Sequence, residues 1–247
     1  MDLLVFDAKK SFKNAGMEAS VALERDELVE MIGERTIDTF LNGGLVQVID
    51  EQVAEVLHEM AGFGEWLEDD REEGVSDLHP SHPTLILSPL ETVFLAVDWK
   101  LLRVNRHGIP LSQEEILDKM REMSGDSENF ERSRKVYRFL RRSGWVVRSG
   151  ATFGCDFLIY CLGVQHFHAS AGVLIADSIT PLRLLTLTRI LAHNKKALIV
   201  ATCSEDPEEE DVKIVTMKTY FLERDVAGMS NRANELYDLQ EIDNKID

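Results

Sequence analysis

The sequence predicts a mixed α/β (α+β) protein in two parts. A small N-terminal α/β domain takes residues 1–126, a second domain on a mixed central sheet takes 127–225, and a polar tail follows over 226–247. Three observations predict this. Short apolar runs such as Asp156-Phe157-Leu158-Ile159-Tyr160 and Ala197-Leu198-Ile199-Val200-Ala201 have strand length and adjoin turn residues. Longer segments between such runs open on helix caps: Ser88-Pro89, Ser112 with Glu115, and Thr180-Pro181. The polar break Ser124-Gly125-Asp126-Ser127 separates the two series and is the boundary.

In the first domain, residues 24–37 are rich in helix formers and Gly43-Gly44 interrupts them. Leu45-Val46-Gln47-Val48-Ile49 reads as a strand, Asp50 caps a helix over 51–60, and Gly62 stands near its end, so residues 20–62 read as helix, strand, helix. The acidic stretch 65–74 reads as a solvated loop. Ser88 caps a helix to about Val97, and the Ser112 capping box opens another to about Met123. In the second domain, a helix over 128–143 carries Phe130, Val136, Tyr137, Phe139 and Leu140 inward and ends at Gly144. Trp145 to Arg148 begins the sheet. Thr180 caps a helix whose buried face is Leu184, Leu185, Leu187 and Leu191. The run 212–221 is a late strand, and the tail from Ala227 is a short helix or unstructured.

Length and composition bound the answer. The 247 residues, 44% hydrophobic and 29% charged, suffice for a sizeable core, and no apolar run approaches membrane-spanning length. Met1 to Asp7 lacks the basic region and long apolar core of a signal peptide and reads as a short strand. Cys155, Cys161 and Cys203 lie in or beside predicted strands without metal-ligand spacing, which predicts buried free thiols in a reducing compartment and no zinc.

A net charge of −17 argues, taken whole, against nucleic acid, but the charge is unevenly placed. Residues 132–203 hold eleven Lys or Arg against only Asp156 and Asp177. A basic segment inside an acidic protein suits local contact with phosphate. Taken singly, Arg134, Lys135, Arg138, Arg141 and Arg142 read as a solvated helix face. Arg189 and Arg148 are the candidate RNA contacts, because Arg grips phosphate and stacks on bases.

Three polar residues stand at the edges of apolar runs in this segment: Tyr160, His168 and Lys196. Together they suit cleavage of RNA by its own 2′-hydroxyl, which needs a base, an acid for the leaving 5′-oxygen and a cation for charge on phosphorus. Histidine serves as the acid near neutral pH. A nearby ammonium favours phenolate and lets tyrosine act as base, and lysine also stabilises the transition state. No metal or other cofactor is required.

The words around these residues carry a resemblance. Lys135 to Gly150, then Phe153-Gly154-Cys155-Asp156-Phe157-Leu158-Ile159-Tyr160, then Phe167-His168-Ala169-Ser170, resemble the catalytic domain of tRNA-splicing endonucleases, most closely the eukaryotic subunit that cuts the 5′ splice site. The eight-residue separation of Tyr160 and His168 and the aliphatic run after Lys196 match. Residues 20–64 resemble the family's small N-terminal domain, and Leu101 to Pro110 again resembles the eukaryotic subunit. Thr152 stands where a basic residue is usual and Ala171 where an aromatic is common; Lys195 adjoins Lys196, and Ala197-Leu198 favour Lys196.

The resemblance implies a restriction-endonuclease-like nuclease domain with Tyr160 as base, His168 as acid and Lys196 as electrostatic stabiliser. It implies cleavage of pre-tRNA at an exon-intron boundary, leaving a 2′,3′-cyclic phosphate and a 5′-hydroxyl. It also implies a nuclear hetero-oligomer, a heterotetramer, assembled through the acidic loop 204–211 and the strand 212–221. Two other classes stay open: a non-catalytic assembly subunit, and a metal-dependent nuclease on a similar sheet, for which Asp156 and Asp177 are the acids near the candidate strands.

Overall fold

The computed structural model describes residues 25–33, 35–67, 84–126, 129–161, 168–204, 211–219 and 237–242. The expected strand at Met1 to Asp7, the acidic residues from 68, the middle of the Tyr160–His168 loop and residues 205–210 lie outside them. Among the described residues no helix is long and apolar enough to cross a membrane.

The first domain opens with α1 (Arg25–Ile32), shorter than the helix expected over 24–37, because Ile37 starts a strand instead. In β1 (Ile37–Asn42) Ile37, Thr39 and Leu41 are buried while Asp38, Phe40 and Asn42 are exposed, a period of two. Gly43 and Gly44, at φ of 57° and 82°, make the two-residue turn into β2 (Leu45–Val48), so the expected helix, strand, helix contains a hairpin. Asp50 accepts from the Val53 amide at 3.1 Å to cap α2 (Glu51–Glu55), which continues as a π-helical turn to Met60. β3 (Glu65–Leu67) occupies the start of the stretch expected to be loop, and β4 (Thr84–Leu87) pairs with it.

Ser88 and Glu91 form the capping box of α3 (Pro89–Val93), which also continues as a π-helical turn, to Asp98. β5 (Leu102–Arg106) and β6 (Ile109–Pro110) complete a sheet in the order β3-β4-β2-β1-β5-β6, with only β1 and β5 parallel. The Ser112–Glu115 box opens α4 (Gln113–Met123).

The second domain runs α5 (Phe130–Arg142), β7 (Val146–Ser149), a 3-10 turn at Ala151–Phe153, β8 (Phe157–Tyr160), β9 (Ala171–Ile175), α6 (Pro181–His193), β10 (Ala197–Cys203), β11 (Val212–Thr219) and β12 (Tyr237–Ile242). Its sheet order is β12-β11-β10-β9-β8-β7, with β9 and β10 parallel through the α6 crossover and the other neighbours antiparallel. The tail, expected to be helical or unstructured, thus supplies a strand. β12 pairs with β11 from Thr219–Tyr237 to Ile214–Ile242, so β11 is interior here and not the open edge expected for a partner's strand.

The two helices cover opposite faces of this sheet. Val147, Phe157, Ile159, Ala171, Val173 and Ile199 join Val136, Tyr137 and Leu140 of α5, whereas Leu174 and Leu198 join Leu187 and Leu191 of α6 with Cys155. The α5 core is continuous with that of the first domain: Phe94 lies 5.7 Å, centroid to centroid, from Tyr137, which lies 6.0 Å from Phe157.

Most of the basic residues of α5 meet protein groups, which corrects the expectation that they face water; Arg142 is exposed, as expected. Arg138 and Arg134 approach Asp98 at 3.2 and 3.7 Å, and Asp98 keeps only 6% of its side chain exposed. Buried Arg141 donates to the Ala61 carbonyl at 2.8 Å and stacks on Phe63 at 3.8 Å. Arg132 pairs with Asp177 through both carboxylate oxygens at 2.8 Å, and Lys135 donates to the Ser204 carbonyl at 2.9 Å. Much of the local positive charge therefore meets protein partners.

Candidate active site

The sheet register brings the predicted residues to one edge. Ile159 pairs with Ala171 and Ala171 with Ala197, so Tyr160, Ser170 and Lys196, each one residue beyond, form a row across β8, β9 and β10. β8 is antiparallel to β9 and β9 parallel to β10, so the end of the first strand meets the beginnings of the other two. By the alternation of a strand, Tyr160 shares the face of Leu158, and Lys196 that of Leu198, the face covered by α6. His168 is exposed two residues before Ser170, where the chain enters this edge.

Lys196 is held there. Its Nζ donates to the carbonyl of Ala169 at 3.3 Å, next to His168, and sits 5.5 Å from the Phe153 ring centroid. Lys195 is exposed with φ of 56°, in the left-handed turn that ends α6. The turn bearing Phe153 lies close against this face because Gly172 has no side chain: a Cβ there would stand 2.8 Å from Cys155 Sγ and 2.9 Å from Leu191 Cδ2.

Tyr160 is half-buried. Burial pushes its phenol above the ordinary value and the Arg148 guanidinium pulls it back part of the way, so the lowering expected from a neighbouring ammonium is not what this chain alone shows. Desolvation disfavours phenolate more than the facing charge favours it.

The two candidate RNA-binding arginines differ in placement. Arg189 is exposed on α6, in a shallow depression with Thr186, Ile190, His193 and Asn194. Arg148 is turned into the domain junction with 12% of its side chain exposed; Nη1 donates to the Gly64 carbonyl at 2.6 Å and lies 3.4 Å from Glu91 Oε1. It has protein partners where an RNA contact was expected. Sequence reasoning missed Glu91, whose two oxygens also accept from the amides of Gly64 and Ser88 at 3.0 and 2.8 Å; its signal was the capping box, which looks purely local.

Cys155 and Cys203 are buried free thiols, and Cys161 is half-buried with Sγ 3.2 Å from Ser170 Oγ. Among the described residues no three His, Cys, Asp or Glu side chains cluster as a metal site would require.

The sequence matches a known family on both sides of the junction. Residues 130–214 match the tRNA intron endonuclease catalytic C-terminal domain, and residues 37–117 match the tRNA intron endonuclease N-terminal domain. The chain is 33% identical over 148 residues to a tRNA-splicing endonuclease of Saccharolobus islandicus, covering 56% of this chain and 78% of that protein. It is 32% identical over 174 residues to the tRNA-splicing endonuclease of Pyrobaculum islandicum, covering 68% and 92%, and 35% identical over 138 residues to that of Saccharolobus solfataricus, covering 54% and 72%. The chain belongs to the tRNA-splicing endonuclease family and carries its catalytic domain, that of an endoribonuclease.

Proposed function

We propose that this chain cuts intron-containing pre-tRNA at an exon-intron boundary by metal-independent transesterification, leaving a 2′,3′-cyclic phosphate and a 5′-hydroxyl. Tyr160 takes the proton of the attacking 2′-hydroxyl, His168 protonates the leaving 5′-oxygen, and Lys196 stabilises charge on the non-bridging oxygens. The observation that supports this best is the row of Tyr160, Ser170 and Lys196 across three adjacent strands, with His168 entering at the same edge. A base and an acid on either side of one phosphate need such a shared edge. Because burial disfavours phenolate in the chain alone, activation of Tyr160 relies on charges added or rearranged when substrate and partners bind. Exposed Arg189, on the helix leading to Lys196, is the proposed RNA contact.

Partner subunits hold the tRNA body. The acidic loop 204–211 is the proposed contact, and Lys135 fixes its root at Ser204. The eukaryotic wording around Lys135 to Gly150 and Leu101 to Pro110 supports the finer proposals: cutting at the 5′ splice site, a hetero-oligomer and a nuclear location. The test is cleavage of end-labelled pre-tRNA by the assembled complex in chelator, with product termini mapped. Metal-free cyclic-phosphate ends, lost at one splice site in His168→Ala, are expected; wild-type cutting at both sites by that variant would refute the assignment.

A further inference from the structure

Val146 on β7 pairs with Tyr160 on β8, and Arg148 pairs with Leu158, so Arg148 and Tyr160 occupy one face of this strand pair on a diagonal that a long side chain spans. Residues of the first domain lie along the same face. A Cβ on Gly62 would strike the Val146 side chain at 2.7 Å, and the Gly64 carbonyl accepts from Arg148 at 2.6 Å. Glu91 Oε1 lies 3.4 Å behind that guanidinium and also accepts from the Gly64 amide at 3.0 Å.

We propose that Arg148 is a positioning residue for Tyr160: the N-terminal domain, through Gly64 and Glu91, holds the guanidinium against the face that carries the phenol, where it favours phenolate. This rests on the reading of Tyr160 as the base. It gives the N-terminal domain an electrostatic part in the chemistry. Among the described residues, Glu91 from α3 stands behind the Arg148 guanidinium, His58 from the π-helical turn has Nδ1 3.1 Å from the same Gly64 carbonyl, and His168 and Lys196 lie at the strand edge that carries Tyr160. The charge of Arg148 acts favourably on Tyr160 in this chain. Its fixed fork also suits simultaneous contact with carbonyl and carboxylate.

The test uses the full chain with its four tyrosines replaced by fluorotyrosine, whose phenol ionises at lower pH, and follows them by ¹⁹F NMR titration. The resonance absent in Tyr160→Phe is that of Tyr160. In Arg148→Gln its midpoint is expected to rise by about half to one pH unit, and cleavage at neutral pH to fall roughly three- to tenfold and recover as pH is raised. Arg148→Lys should keep the midpoint near that of the wild type. Because Arg148→Gln removes a junction contact, a second measurement needs no change at Arg148: in the otherwise unsubstituted chain the Arg148 ¹⁵Nε resonance should step at the Tyr160 midpoint, and the step should vanish in Tyr160→Phe. Absence of that step, or an unmoved midpoint in folded Arg148→Gln, overturns the proposal even if Tyr160→Phe is inactive. Conversely, wild-type cleavage by Tyr160→Phe removes the base assignment, whatever the fluorine titration shows.

Discussion

Arg138 on α5 donates to Asp98 at the end of the α3 extension, at 3.2 Å across the boundary between the two domains. Arg134 reaches the same carboxylate at 3.7 Å, so one acid answers two cations in a largely dry place. Removing one partner of such a group leaves the others desolvated without compensation. Asp98→Ala is therefore expected to cost about 3 kcal/mol or more in urea unfolding. Because one core joins both domains, the loss should appear in a single transition. A change below about 0.5 kcal/mol would show that water reaches the arginines and that the junction is loose.

Gly172 permits the packing beneath the candidate site, since a methyl there would meet Cys155 Sγ at 2.8 Å and both Leu191 methyls at 2.9 and 3.0 Å. Gly172→Ala should lower stability by about 1–3 kcal/mol through overpacking, and Leu191→Ala in the same chain should return part of the loss. Thermal melts of the two single variants and the double variant form the cycle. Strict additivity would count against the crowding.

Legibility in the sequence followed the range of the interaction. The caps Asp50, Ser88, Ser112 and Thr180 could be read because each bonds an amide three residues on. The apolar runs ending at Tyr160 and following Lys196 likewise announced their strands, and the site residues at their ends came with them. β1 escaped because helix formers before it blurred the change of period at Ile37, although Ile37, Thr39 and Leu41 alternate inward. β12 escaped because Asp238, Gln240 and Glu241 interrupt its apolar residues inside a charged tail, and its strand is defined by pairing with β11 earlier in the chain. Arg138, Arg141 and Arg148 looked like solvent-facing or RNA-facing charge because Asp98, Ala61 and Gly64 lie between 40 and 84 residues earlier in the chain. Periodicity carries no such long-range pairing.

Alkaline pH should expose a buried thiol. Burial raises Cys155 from its ordinary 9.0 to about 11, so the folded chain keeps this proton where the unfolded chain has lost it. A raised pKa stabilises fully below the unfolded value and is lost as pH climbs through the folded one. The window is therefore about pH 9 to 11, and the loss from this group is on the order of 2 kcal/mol. Tyr137 and Tyr160 are also raised by burial and act with the same sign at higher pH. Urea unfolding at stepped pH should show wild-type stability falling through this window more steeply than that of Cys155→Ala, and parallel curves would refute the assignment.

The adjacent lysines should separate cleanly. Lys196 Nζ lies on the Ala169 carbonyl beside His168, whereas Lys195 occupies a left-handed turn and is exposed. Removing a preorganised cation aimed at developing charge costs roughly 10²–10³ in rate, so Lys196→Ala should lose that much single-turnover cleavage while Lys195→Ala stays near wild type. Lys195→Gly should even gain about 0.5–1 kcal/mol in stability, because glycine enters the left-handed region without steric cost. Since both lysines carry the same charge one residue apart, general weakening of RNA attraction would lower both variants alike. Equal losses would mean that the aliphatic run after Lys196 had misled the assignment, and that position in the row across β8, β9 and β10 does not decide which ammonium meets the phosphate.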